Sequence, residues 1–117
     1  MVWHLVLMKP RPDLSAADRA ALVDAFERAT REIPSVRQVQ LGRRVVHGAG
    51  YERDMPDAAD YVAMIAFDDL EGLQAYLHHP AHTDLGVAFG RSLSAALVYD
   101  FEMAGSDGEA LTRGRVL

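Results

Sequence analysis

The chain has 117 residues, half of them hydrophobic and 25% charged, with a formal net charge of -5 and no cysteine. This is the size of one domain with enough apolar residues for a core. The acidic balance argues against nucleic acid as the main partner, because phosphate binding needs a clustered basic surface, and the absence of thiols excludes disulfides and cysteine catalysis.

The opening stretch MVWHLVLMKP is apolar but too short to span a membrane. It lacks the charged segment and small-residue cleavage site of a signal peptide, so a cytoplasmic location is expected. Its alternation predicts a strand over Val2 to Met8. Period 2 puts Val2, His4, Val6 and Met8 on one face and Trp3, Leu5 and Leu7 on the other. Two prolines in KPRPD make a turn. Ser15 then caps a helix to about Glu32, with Leu22, Ala25, Phe26, Ala29 and Ile33 as its buried stripe.

A second strand is predicted over Val36 to Val46, with a bulge at Gly42. The adjacent Arg43 and Arg44 are the nearest approach to a basic patch and read as solvated. A long loop follows from His47 to Asp60, beyond the usual connection length. Tyr61 to Phe67 is the third strand. Tyr61, Ala63, Ile65 and Phe67 share one face of it. The next helix starts at a cap on Asp68 with Glu71 at the box position, and buries Leu70, Leu73 and Leu77 beside Tyr76. Pro80 breaks it and suits the first turn of a further helix, to about Arg91, with Leu85 and Phe89 inward. His79 falls at its N-cap. The last strand runs from Ala95 to Glu102, with Leu97, Tyr99 and Phe101 on one face and Asp100 and Glu102 on the other, where they are expected to be solvated or, alternatively, to orient an imidazole. Residues 1–103 make the domain and 104–117 a loose tail.

The order β-α-β-β-α-β predicts an α+β, ferredoxin-like protomer: a four-stranded antiparallel sheet with helices on one face. Strands one and three are apolar on both faces. The side carrying Trp3, Leu5 and Leu7 therefore needs a second cover, and the simplest is the same face of another copy. A homodimer is expected.

HLVLMKPRPDLSAADRAAL, FDDLEGLQAYLHHPAH and LVYDFE together resemble the stress-responsive dimeric α/β-barrel family, Dabb, over nearly all of Met1 to Glu102. The HPxH element within Phe67 to His82 is the most specific part. The resemblance implies a barrel-shaped dimer. It also implies, from a plant polyketide-cyclase branch that closes a poly-β-ketone by aldol condensation, pocket roles for His4, Tyr76 and His82. Tyr61 matches a further pocket histidine of that branch. With the inward Leu73 and Phe89 it is expected to contact a substrate.

The residue types suit such chemistry. His82 is the third residue of its helix, where the dipole disfavours the imidazolium and leaves a neutral base. Tyr76 can orient that base or hydrogen-bond a substrate carbonyl, and His4 faces it from the sheet. The plain alternatives are equally specific: His82 as a helix cap, Tyr76 and His4 as hydrogen-bonded core groups. His78, His79, His82 and Asp84 are close in sequence, but Pro80 interrupts their helix and the spacing matches no zinc motif, so no metal and no cofactor are expected. Two functions remain open. One is a cofactor-free polyketide cyclase or isomerase with a partly polar cavity at His4, Tyr76 and His82. The other is a non-enzymatic stress-responsive dimer that binds a small apolar ligand, with the three residues packed shut.

Overall fold

The structure, a computed structural model, describes residues 1–112. Its elements are β1 (Val2–Pro10), α1 (Ala16–Glu32), β2 (Gln38–Arg43), β3 (Tyr61–Phe67), α2 (Leu70–Leu77), α3 (Pro80–Ser92) and β4 (Leu93–Glu102), with short 3-10 turns at Gly50–Asp54 and Gly108–Leu111. The strands form one antiparallel sheet in the order β2-β3-β1-β4. This is the ferredoxin-like arrangement, with the helices on one face.

The alternation in β1 does what period 2 requires. Val2, His4 and Val6 are buried beneath the helices, and Trp3, Leu5 and Leu7 are half-buried on the free face. In register with these, Ala66, Met64 and Val62 of β3 and Phe101, Tyr99 and Leu97 of β4 extend the free face across three strands. On the covered face, Ile65, Phe67, Ala29, Ile33, Leu73, Tyr76, Ala81 and Leu85 close into one core. The α1 stripe meets it with Leu22, Ala25 and Phe26.

Three local expectations change. β2 is shorter than its apolar pattern, because β3 begins at Tyr61 opposite Arg43 and offers no ladder beyond; Val45 and Val46 are 72% and 75% exposed. Gly42 is no bulge, since it pairs in unbroken register with Val62. It is a point of close approach: a Cβ there would lie 3.0 Å from Val62 Cγ1. The register shift falls instead between Lys9 and Pro10, where proline cannot donate. Finally, Asp69 and not Asp68 caps α2. Its Oδ1 accepts from the Gly72 amide at 2.9 Å, while Asp68 pairs with Arg37 at 3.0 Å. The helix begins one residue later than the adjacent-aspartate pattern suggested, so the second aspartate holds the cap geometry.

Ser15 caps α1 as expected, accepting from the Asp18 amide at 3.0 Å. Beyond β4, the Met103 amide donates to the Met1 carbonyl at 3.0 Å, setting the two ends of the domain side by side. Asp107 caps the turn at Gly108–Leu111, and Ala110 is buried. The remainder of the tail, residues 113–117, lies outside the described residues. Among the described residues no helix is long and apolar enough to cross a membrane.

The two aspartates give a direct test. In urea denaturation, Asp69→Ala is expected to cost about 1 kcal/mol through the lost cap, and Asp68→Ala about 0.5 kcal/mol or less, the loss of an exposed ion pair.

Candidate active site

Three elements bring the expected residues together. β1 directs His4 under the helices, where it is 4% exposed. The buried stripe of α2 carries Tyr76, 1% exposed, against Phe67 with ring centroids 5.1 Å apart. The first turn of α3 carries His82. Tyr76 stands between the two imidazoles: its ring centroid is 5.8 Å from that of His4 and 4.8 Å from that of His82, both in edge-on geometry.

The HPxH segment is built to set this turn. α2 ends at Leu77, and Pro80 occupies the first helical position of α3, where its missing N–H costs nothing. His79 Nδ1 accepts from the Ala81 amide at 3.0 Å, and its carbonyl accepts from the amides of His82 and Thr83. The other nearby candidates for a metal cluster are engaged separately. His78 Nδ1 lies 2.8 Å from the Gln74 carbonyl, and Asp84 pairs with Arg28 at 2.6 Å. The described residues contain no group of three metal-ligating side chains.

Of the two roles the sequence left open for Asp100, the structure shows the less expected one: it meets an imidazole and is not simply solvated. It lies opposite His4 in the β1–β4 register, and its Oδ1 is 2.5 Å from His4 Nδ1. With Nδ1–H donating to the carboxylate, Nε2 is left as the free ring nitrogen. The signal lay in the pairing: both residues fall on the covered face, one strand apart. The Asp100 side chain is 40% exposed, so the buried imidazole communicates with solvent through its carboxylate.

Burial sets the electrostatics. It raises the Tyr76 hydroxyl to about 12, which keeps it a proton donor across the neutral range. The His82 imidazole is pushed below its ordinary value, first by desolvation and then by the neighbouring His4, with a backbone hydrogen bond at Leu77 working against both. The lowering favours the neutral ring, with desolvation as its first cause. His82 is half-buried, so this neutral ring reaches the surface. The His4 and Tyr76 rings themselves are closed in by packing.

The expected substrate contacts divide. Leu73 is 3% exposed within the core, and Phe89 packs half-buried against it. Tyr61 lies at the far end of the sheet, beside Met8 and Arg43, and does not join the ring cluster. It lines an apolar cavity of about 220 Å³ between the sheet and the start of α1, with Met8, Leu22, Leu41 and Leu93. That cavity is on the covered face, four residues along β1 from His4.

The family model described as Stress responsive A/B Barrel Domain, Dabb, matches residues 2–103. Olivetolic acid cyclase from Cannabis sativa is 21% identical over 100 residues, spanning 86% of this chain and 94% of that protein. A hydroxynitrile lyase from Passiflora edulis has a similar fold, with a TM-score of 0.74 at 12% identity, over 91% of this chain and 95% of that one. A dimeric ferredoxin-like protein of unknown function from Thermobifida fusca aligns with a TM-score of 0.66 at 18% identity, over 87% of this chain and 90% of that one.

The lowered His82 value fixes the sign of a pH effect. The folded state favours the neutral ring, so its contribution is complete above the unfolded value of about 6.5 and is lost as the pH falls from there through the folded value. An NMR titration is expected to place the His82 midpoint below 6.5. The stability of the native protein relative to His82→Asn should decline on acidification through that range; a flat difference would contradict the assignment.

Proposed function

The chain belongs to the Stress responsive A/B Barrel Domain family, and from that premise we propose that it is a cofactor-free acid–base enzyme of the polyketide cyclase or isomerase type. The observation that carries this reading is the edge-on row of His4, Tyr76 and His82 within ring contact, with an imidazole at its outer end whose neutral form burial favours. His82 takes a proton from the carbon beside a substrate carbonyl. The Tyr76 hydroxyl donates to the enolate oxygen that forms. The enolate carbon then attacks a second carbonyl of the same molecule, and the resulting alkoxide takes back the proton held on His82. The His4–Asp100 pair fixes the far side of the Tyr76 ring and offers Nε2 as a second hydrogen-bonding atom.

Such a step needs a base, a donor for the enolate oxygen and a site shielded from water. A cyclase and a hydroxynitrile lyase among its relatives support carbonyl chemistry on this fold. The cavity at Tyr61, Met8 and Leu22 offers apolar space for the substrate's tail. It lies roughly 13 Å along β1 from His4, at about 3.3 Å per residue, which suits an extended chain better than a compact ketone.

The proposal includes a homodimer through the free sheet face. Trp3, Leu5, Leu7, Met64, Tyr99 and Phe101 present more apolar surface than the protomer's own helices can cover, and a protein of similar fold is dimeric. A second reading, a non-enzymatic binder of small apolar molecules, is favoured by one observation: His4 and Tyr76 are nearly inaccessible.

Two measurements test these points. Against a panel of β-polyketides and small ketones, His82→Ala is expected to lower turnover about 10²–10⁴-fold. Tyr76→Phe should lower it about 10²–10³-fold, as loss of an oxyanion donor does. Unchanged turnover in His82→Ala removes the base assignment, and capture of an unaltered apolar molecule with no turnover favours the second reading. In sedimentation at micromolar concentration the native protein should run as two chains and Leu5→Asp/Tyr99→Asp as one; single chains for the native protein refute the interface.

A further inference from the structure

The connection from β2 to β3 is more than a link. Its second half folds back over the end of the free sheet face and is held there by charge. Asp57 accepts from Lys9 Nζ at 2.9 Å and lies 3.4 Å from an Arg44 guanidinium nitrogen, and Asp60 lies 3.3 Å from the same Lys9. Two backbone bonds of 2.8 Å, from the Arg44 amide to the Asp60 carbonyl and from the Asp60 amide to the Met8 carbonyl, complete the clamp. The Lys9 hydrogen bond holds the Asp57 carboxyl below its ordinary value, so the clamp stays charged at neutral pH.

This loop encloses a cavity of about 380 Å³. Its floor is Leu7, Val62 and Leu97 of three adjacent strands, and its wall is Met55 and Pro56. Arg43 and Arg44 also line it. The rest of the lining is apolar apart from Tyr61, and only Arg44 of the two arginines is held by a carboxylate, that of Asp57. In the cluster, three cations meet two carboxylates, and Arg43 has no ion pair among the described residues. The volume falls within the range of roughly 300–1,000 Å³ typical of small-molecule sites.

We propose that this cavity binds a small amphipathic carboxylate, its apolar chain on Leu7, Val62 and Leu97 and its carboxylate on Arg43 and Arg44. Guanidinium is the side chain best suited to a carboxylate, which it can grip with two parallel hydrogen bonds. The site is separate from His4, Tyr76 and His82, which lie on the other face of the sheet. It sits at the Leu7 end of the free face, so binding requires that a second copy docked on that face leave the cavity open.

The test uses the full chain, with sodium octanoate as the probe and 1-octanol as its uncharged counterpart. Octanoate is expected to shift the amide resonances of Met55, Ala58, Ala59, Val62 and Leu97 saturably. By calorimetry it should bind at least tenfold more tightly than octanol. Arg43→Gln leaves the Asp57 clamp intact and should weaken octanoate about tenfold, the loss of one charge-assisted hydrogen bond, with octanol unaffected. Three results overturn the proposal: equal affinity for the two probes, shifts centred on Leu22 and Leu41 on the helix side, or octanoate binding only to a monomeric variant. The last would mean that a second copy fills the cavity.

Discussion

The central strand decides what every other part of the molecule can do. β1 pairs with β3 on one side and β4 on the other, so each of its side chains is fixed against two neighbours at once. His4 lies between Ile65 and Asp100, and Leu5 between Met64 and Tyr99. Because strands alternate, a slip of one residue would bring Trp3 and Leu5 under the helices and turn His4 outward. The chain cannot slip cheaply, since Val2, Val6, Ile65 and Phe67 all need the covered face. Hydrophobic burial thus holds the register, and the register holds an imidazole beside a carboxylate.

Much of this was readable before any coordinates. Period-2 patterning separated the two faces of β1 and β3, and the stripe of Leu22, Phe26, Ala29 and Ile33 located α1. Pro80 marked the break that sets His82 in a first turn. What escaped the sequence was pairing. An aspartate near a strand end reads the same whether it meets water or an imidazole, and only the strand order places Asp100 opposite His4. The same limit explains Val45 and Val46, which have the composition of a strand but no partner to pair with. Adjacent aspartates at 68 and 69 differ only in helix phase, which local pattern does not resolve. Tyr61 was placed correctly on its strand, but at an end of the sheet remote from the ring cluster.

The ring cluster shows how burial and reactivity are balanced. A hydroxyl and two imidazoles in a core are costly unless bonded or packed. Here the inner imidazole has its carboxylate, the phenol lies edge-on between two rings, and the outer imidazole keeps one side toward solvent. The gradient runs from rigid and shielded at His4 to accessible at His82. That order is the one the proposed base would use, with proton transfer at the open end and the supporting groups behind. The two sides of the sheet are correspondingly unlike: His4, Asp100 and Tyr76 gather under the helices, and the centre of the free face carries the aromatic and aliphatic side chains of Trp3, Leu5, Tyr99 and Phe101.

The bond between Met1 and Met103 has a practical outcome for protein engineering. With Met1 and Met103 meeting at one end of two adjacent strands, the segment between them can be spliced into a surface loop of a host protein without stretching either junction. The same proximity favours circular permutation, with new ends opened at the exposed Gly48 and Met1 joined to Met103 by a few residues of linker.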